Sequence, residues 1–215
     1  FDNSIIYENE NFLILDKWHG IATQGGTNIS LSIDMIIKNI SSKYNLVHRL
    51  DKETSGLLII AKNLEYTKIF GHLFKSHEIK KFYYALCEGK PKHSESIVNL
   101  DIPIKDKKNL KTKTQTYYKL LNYRKGISQI LFSPKTGKTH QLRIVSKNIG
   151  CPIIGDDKYN YSNSFNNEKL KLNAFNIKFE IKSKKFNFKS ILPKHFIDFT
   201  KVNNIKIFNI QNINL

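Results

Sequence analysis

Short apolar runs and two-residue alternation dominate the chain and predict a series of strands. Residues 4–7 and 12–15 flank the polar turn Glu8, Asn9, Glu10, Asn11, a pattern expected of two short adjacent strands. Residues 57–61 form an unbroken apolar run of strand length, bounded before it by the turn formers Thr54, Ser55 and Gly56. Residues 80–89, 97–104, 114–123, 127–132, 170–181 and 186–191 continue the series. Tyr83 and Tyr84 fall on opposite faces of their strand, so one of them points outward.

Helical spacing is rarer. Residues 31–40 place Ile33, Ile36, Ile37 and Ile40 on one face, and residues 64–74 gather Leu64, Ile69, Phe70, Leu73 and Phe74. Residues 138–145 begin another helix, closed by Gly150, and residues 193–202 form a short one. Residues 151–159 read as a turn-rich loop, and residues 203–215 alternate too weakly to assign. Many strands, few long helices and hairpin-length connections predict an α+β fold, with a mixed, mainly antiparallel sheet flanked by a few helices. With no internal repeat or linker, a single domain over residues 1–215 is expected.

Composition narrows the partner. In 215 residues, 35 Lys and Arg stand against 18 acids, and the resulting +17 attracts polyanions, of which nucleic acid is the usual one. The chain is also crowded with Lys, Asn and Ile, so part of this charge reflects composition alone. The lysine-rich residues 105–113 read first as a solvated loop and second as a phosphate contact. Cys87 and Cys151 have no metal-ligand spacing and make no disulfide framework, while His72 and His77 lie on different helical faces, so no metal is expected. No apolar run approaches the roughly 18 residues of a bilayer span, nor is there a signal-peptide series, which predicts a cytoplasmic protein away from membranes. The chain starts at Phe1 rather than Met, which leaves room for an upstream segment.

Candidate chemistry centres on residues 46–63, LVHRLDKETSGLLIIAKN. His48, Arg49, Asp51, Lys52 and Glu53 form a polar cluster at the mouth of the apolar run. By itself an acid near an arginine is more often a salt-bridged turn than a catalytic group. Other segments supply complementary groups: Arg143 a guanidinium, Tyr83 or Tyr84 an aromatic face, Lys17 or Arg49 further cationic donors. A carboxylate beside a guanidinium stays ionised and is suited to attack or to take a proton, and a tyrosine can stack on a heterocycle or relay a proton. Together they fit chemistry on a nucleobase pulled from its stack. Neither a cysteine nucleophile nor a GxSxG elbow competes, and the GKT at 137–139 is not a phosphate loop, because Phe132 stands where its first glycine belongs. The Gly25, Gly26 pair reads as an ordinary loop.

The motifs HRLDKETSGLLIIAK, KKFYYALCEG, TGKTHQLR, IGCPIIGDDKY and KLKLNA, in that order, resemble those of the RluA-type RNA pseudouridine synthases. The opening IIYENENFLILDKWHG resembles the same family's first segment, and the likeness extends over residues 4–192. It implies isomerisation of chosen uridines in RNA to pseudouridine, without cofactor, metal or energy source. Asp51 matches the family's catalytic aspartate, which forms an adduct with the detached uracil or its ribose before the base rejoins through carbon 5. Arg143 matches the arginine paired with that aspartate, Tyr83 the active-site tyrosine and Leu142 an aliphatic residue of the uracil pocket, with His140 and Gln141 beside it. Arg49 matches an arginine that fills the space of the flipped nucleotide, and Lys17, Lys81 and Lys138 join it as residues expected to meet RNA. His48, Thr54, Ser55 and Gly56 shape the loop.

The chain departs from the family pattern at Trp18 and His19, where a proline and a small residue are usual, at Lys138 for arginine, and at Val145 and Asn173, where histidines are common. These bear on RNA docking rather than on the reaction. Many members acting on large-subunit ribosomal RNA carry a small RNA-binding domain upstream, which is expected to be either absent or cut away here. The loop Thr23, Gln24, Gly25, Gly26 looks closest to members of that class, so ribosomal RNA is the expected partner of a monomeric enzyme. The rival readings are a non-catalytic RNA-binding or ribosome-assembly module on the same fold, a synthase acting on transfer RNA, and a metal-free hydrolase using Asp51 with a histidine.

Overall fold

A computed structural model describes residues 1–26, 29–104, 110–161, 163–165 and 167–210. Residues 105–109 of the lysine-rich segment and 211–215 of the tail lie outside the described residues. In chain order the elements are β1 (Ile5–Glu8), β2 (Phe12–Lys17), α1 (Ile33–Ile40), β3 (Asn45–Leu46), β4 (Ser55–Ala61), α2 (Leu64–Lys75), β5 (Lys80–Glu88), β6 (Glu95–Pro103), β7 (Lys111–Arg124), β8 (Ile127–Pro134), α3 (Gln141–Asn148), β9 (Leu172–Ile181), β10 (Lys184–Lys189) and α4 (Lys194–Val202). The mixed, mainly antiparallel architecture expected from the sequence is the one observed. The chain gathers into two compact units, one of Phe1–Lys80 with Ala174–Ile191 and the other of Lys81–Asn173 with Leu192–Leu215. No helix among the described residues is long and apolar enough to cross a membrane.

In the first unit the strand order is β1, β2, β4, β9, β10, with β3 paired to β4. Strand β4 is buried along its whole length and β2 nearly so, which is why both read as continuous apolar runs rather than alternating ones. Antiparallel register sets Phe12 opposite Ala61 and Lys17 opposite Gly56, so the end of β2 lies beside the start of β4. Phe12, Phe70 and Phe179 meet edge to face, with Phe12–Phe70 and Phe70–Phe179 centroids both 5.3 Å apart, at the centre of an apolar core that α2 covers. Both helices begin on capping side chains: Ser32 Oγ accepts from the Met35 amide and Asn63 Oδ1 from the Tyr66 amide.

The second unit orders its strands β5, β8, β7, β6 in antiparallel pairs. Its core gathers Ala85, Cys87, Ile130, Phe132, Leu142, Val145 and Ile153 beneath α3. Gly150 closes that helix in the left-handed region, at φ +75°, as its place in the sequence predicts. Buried Gln129 anchors the tail: its Oε1 accepts from the Phe208 amide at 2.7 Å and its Nε2 donates to the Lys206 carbonyl at 2.9 Å. That side-chain docking, with Ile205 and Ile210 buried, explains why residues 203–210 show no clear strand or helix period.

Candidate active site

The loop that carries Asp51 is built from the first unit. Thr54 N–H donates to the Asp51 carbonyl at 3.1 Å, which closes a turn, and the chain then enters β4 through Ser55 and Gly56. Gly56 is obligatory there. Its φ is +106°, and a Cβ would lie 2.4 Å from the Ala174 carbonyl oxygen. His48 Nε2 accepts the Ile59 amide at 2.8 Å while its ring lies on Phe74, centroids 4.7 Å apart. The imidazole thus shapes the loop, as expected from the sequence, and its Nε2 carries no proton while it accepts this bond. Asp51 is half-buried and Arg49 is exposed.

Lys17 departs from expectation. Assigned to RNA, it is fully buried at the end of β2, and its Nζ donates to the carbonyls of Trp18, Ile21 and Lys52 at 3.1, 3.0 and 3.2 Å. The Lys52 carbonyl also accepts the Gly20 amide at 3.0 Å, and His19 Nε2 meets the Glu53 carboxylate at 3.0 Å. The segment after β2 is therefore tied to the turn after Asp51. Burial pulls the Lys17 ammonium down to about 8, against the charges of Glu53 and Asp51, which favour its protonated form. Its direct neighbours are backbone oxygens, so it organises the loop rather than touching a polyanion.

In the second unit Arg143 lies on the first turn of α3. Nε donates to Asp156 Oδ2 at 2.7 Å and Nη2 to Asp156 Oδ1 at 2.6 Å, a two-bond pairing, and Nη2 also meets Asp157 Oδ1 at 2.8 Å. The Asp156 carboxylate is buried and also accepts the amides of Lys158 and Tyr159 at 3.0 and 2.9 Å. Tyr159 lies under the guanidinium at 5.2 Å, and its hydroxyl is 3.1 Å from His140 Nδ1. Arg143 is thereby aligned by the turn-rich segment that follows α3. Gly155 makes that turn possible: at φ +76°, a Cβ there would meet Lys169 backbone at 2.5 Å.

Gln141 uses its whole amide. Oε1 accepts from Thr136 Oγ1 and the Lys138 amide, and Nε2 donates to Thr116 Oγ1 and the Gln115 carbonyl. Such a side chain latches the start of α3 to β7. Leu142, expected in the uracil pocket, is 6% exposed and packs in the core of its unit. Tyr84 is the inward tyrosine of the pair, its hydroxyl donating to Gln129 Oε1 at 2.7 Å, whereas Tyr83 is half-buried. Lys138 is exposed. Lys81 is half-buried, and desolvation lowers its ammonium below the ordinary lysine value.

Asp51, Arg49 and Lys17 thus belong to the first unit, and Tyr83, Lys81, Lys138, His140, Gln141, Leu142 and Arg143 to the second. Sequence reasoning missed Asp156 and Asp157 as partners of Arg143. Their signal was the adjacent acid pair after Gly155 in the motif IGCPIIGDDKY. Among the described residues no three His, Cys, Asp or Glu side chains gather as a metal site.

Comparison with known proteins gives one family. A family model described as RNA pseudouridylate synthase matches residues 11–148. "Ribosomal large subunit pseudouridine synthase C" from Rickettsia felis is 39% identical over 211 residues, covering 90% of this chain and 69% of the relative. Its counterpart from Rickettsia bellii is also 39% identical, over 89% of this chain and 69% of the relative. Among solved structures, human RNA pseudouridylate synthase domain containing 4 superposes with a TM-score of 0.83 at 21% identity, covering 97% of this chain and 95% of that one. Human RNA pseudouridylate synthase domain containing 1 follows at 0.74 and 22%, covering 87% of this chain and 82% of that one. These two likenesses establish the fold. With the matched motifs and the relatives' identity, they lead to one assignment: the chain belongs to the RNA pseudouridylate synthase family and is an RNA pseudouridine synthase.

Proposed function

We propose that the enzyme converts specific uridines of large-subunit ribosomal RNA to pseudouridine, with Asp51 as nucleophile on a nucleotide turned out of its stack. The observation that carries this reading is the Asp51 turn itself. It closes through Thr54, and its next carbonyl, Lys52, is gripped by Lys17 and Gly20, so a half-buried carboxylate is presented from a fixed backbone. The likeness to relatives named for the large ribosomal subunit supports the choice of RNA.

In the proposed reaction the bond between ribose C1′ and uracil N1 breaks while Asp51 holds the released fragment, either ribose or base. The uracil turns, C1′ bonds to C5, the C5 proton leaves and N1 regains a proton, so the product is an isomer of the substrate. Arg143 and Tyr83 complete the proposed set of reacting side chains, with the Tyr83 phenol moving the proton. Exposed Arg49 takes the place of the flipped nucleotide, where a planar cation offsets part of an unstacking cost of a few kcal/mol. Lys81 and Lys138 contribute to RNA docking. The enzyme acts as a monomer in the cytoplasm.

Asp51→Asn tests this reading. Carbodiimide primer extension on large-subunit ribosomal RNA is expected to give a pseudouridine stop with wild type and background signal with the variant, while RNA affinity stays within about twofold. A persistent stop sinks the nucleophile. Free uracil in place of isomerised uridine indicates a hydrolase, and a stop on transfer RNA alone removes the ribosomal assignment.

A further inference from the structure

Leu50 stands between Arg49 and Asp51, and one side chain holds both of its backbone polar groups. Thr23 Oγ1 donates to the Leu50 carbonyl at 2.6 Å and accepts the Leu50 amide at 3.1 Å. A hydroxyl engaged in both directions with one residue replaces the strand partner that residue 50 lacks. Thr23 is 2% exposed and Leu50 5%, so water does not compete for these bonds. Leu50 turns inward, while Arg49 is exposed and Asp51 half-buried on either side of it.

Thr23 is itself anchored. Its carbonyl accepts the Asp34 amide at 3.0 Å and the Ala22 carbonyl accepts the Ile33 amide at 2.9 Å, so two amides in the first turn of α1 hold residues 22 and 23. The connection runs from α1 through Thr23 to Leu50 and so to both of its neighbours. Exposed Gln24, Gly25 and Gly26 follow directly, which makes residues 22–23 the fixed part of that loop.

We infer that Thr23 is a positioning residue for the reaction: through the Leu50 backbone its hydroxyl sets the direction in which Asp51 is presented. This rests on the reading of Asp51 as the nucleophile. Replacing Thr23 by the isosteric valine leaves the Leu50 amide and carbonyl without this partner, and a shift near 1 Å at a reacting group costs on the order of 100-fold in rate.

The test uses the full chain and total RNA from cells lacking its gene, at saturating enzyme, so that a single turnover is followed and binding is measured separately. Thr23→Val is expected to slow the single-turnover rate about 30- to 100-fold with RNA affinity within about threefold. Thr23→Ser, which restores the hydroxyl, is expected to return the rate to within about threefold of wild type. Leu73→Ala removes core packing from α2 in the same unit and supplies a variant of lowered melting temperature; its rate, measured well below that temperature, is expected to match wild type. A wild-type rate for Thr23→Val overturns the inference. So does a Thr23→Ser rate as low as that of Thr23→Val, or an equal slowing by Leu73→Ala. If Thr23→Val does not fold, Thr23→Ala takes its place under the same criteria. Asp51→Asn in the same series separates the two claims: if it turns over, the nucleophile reading fails and the inference with it, whereas an inactive Asp51→Asn beside a fast Thr23→Val removes only the role of Thr23.

Discussion

Arg143 and Asp156 form two parallel bonds, 2.7 Å at Nε and 2.6 Å at Nη2, with both side chains almost wholly out of solvent. Removing Asp156 leaves the buried guanidinium with only the exposed Asp157 carboxylate. Asp156→Asn is therefore expected to lower stability in urea unfolding by about 3–5 kcal/mol and to depress turnover through a misaligned Arg143. Asp157, whose side chain is 87% exposed, gives the contrast: Asp157→Asn is expected to stay within about 1 kcal/mol of wild type.

Lys17 predicts a pH signature. Its ordinary value is 10.5, and in the folded chain it falls to about 8, so between these the unfolded chain binds the extra proton. Stability rises with pH wherever the unfolded state holds more protons. The cost of burying the ammonium is thus fully present below pH 8 and relieved between 8 and 10.5. The stability of wild type relative to Lys17→Met is expected to climb across that window, by up to about 1.4 kcal/mol per pH unit. Urea midpoints at several alkaline pH values measure it, and a flat difference refutes the assignment.

Two glycines should respond in opposite directions. Gly56→Ala forces a Cβ into the Ala174 backbone at a φ of +106°, and loss of soluble protein or of several kcal/mol is expected. Gly71 lies on an exposed face of α2, where an added methyl would meet nothing within 4 Å, so Gly71→Ala is expected to raise stability by about 0.5–1 kcal/mol. Thermal melting reads both.

Adjacent tyrosines separate stability from chemistry. Tyr84→Phe removes one of the two donors to the buried Gln129 Oε1, which keeps the Phe208 amide, and is expected to cost about 1 kcal/mol with turnover unchanged. Tyr83→Phe keeps the ring, loses the phenol, and is expected to slow turnover by about 100-fold or more with stability within about 1 kcal/mol. The reverse pattern would move the proton-transfer role off Tyr83.

The strands were legible because burial imposes either alternation or an unbroken apolar run, and β4 or β9 leaves little choice. Strand β2 was read two residues short. Asp16 and Lys17 are polar, and nothing local announces that Ser190 and the Ile191 amide meet the one while three carbonyls meet the other. The loop around Asp51 was legible as a motif. Its supports were not, because Thr23 with Leu50 and Arg143 with Asp156 join segments by side-chain bonds that leave no periodic trace. Tyr83 and Tyr84 show the middle case: alternation says that one faces inward, and only Gln129 says which.

The first unit is discontinuous, since Phe1–Lys80 is completed by Ala174–Ile191. At about 5–20 residues per second on the ribosome, residues 81–173 take on the order of 5–20 s to emerge. For that interval the edge of β4 that β9 will cover, with Gly56 at its mouth, waits for Ala174. The loop carrying Asp51 thus gains its last wall only after the second unit's strands have been made, and the chain cannot display a finished carboxylate turn to RNA while most of it is still being synthesised.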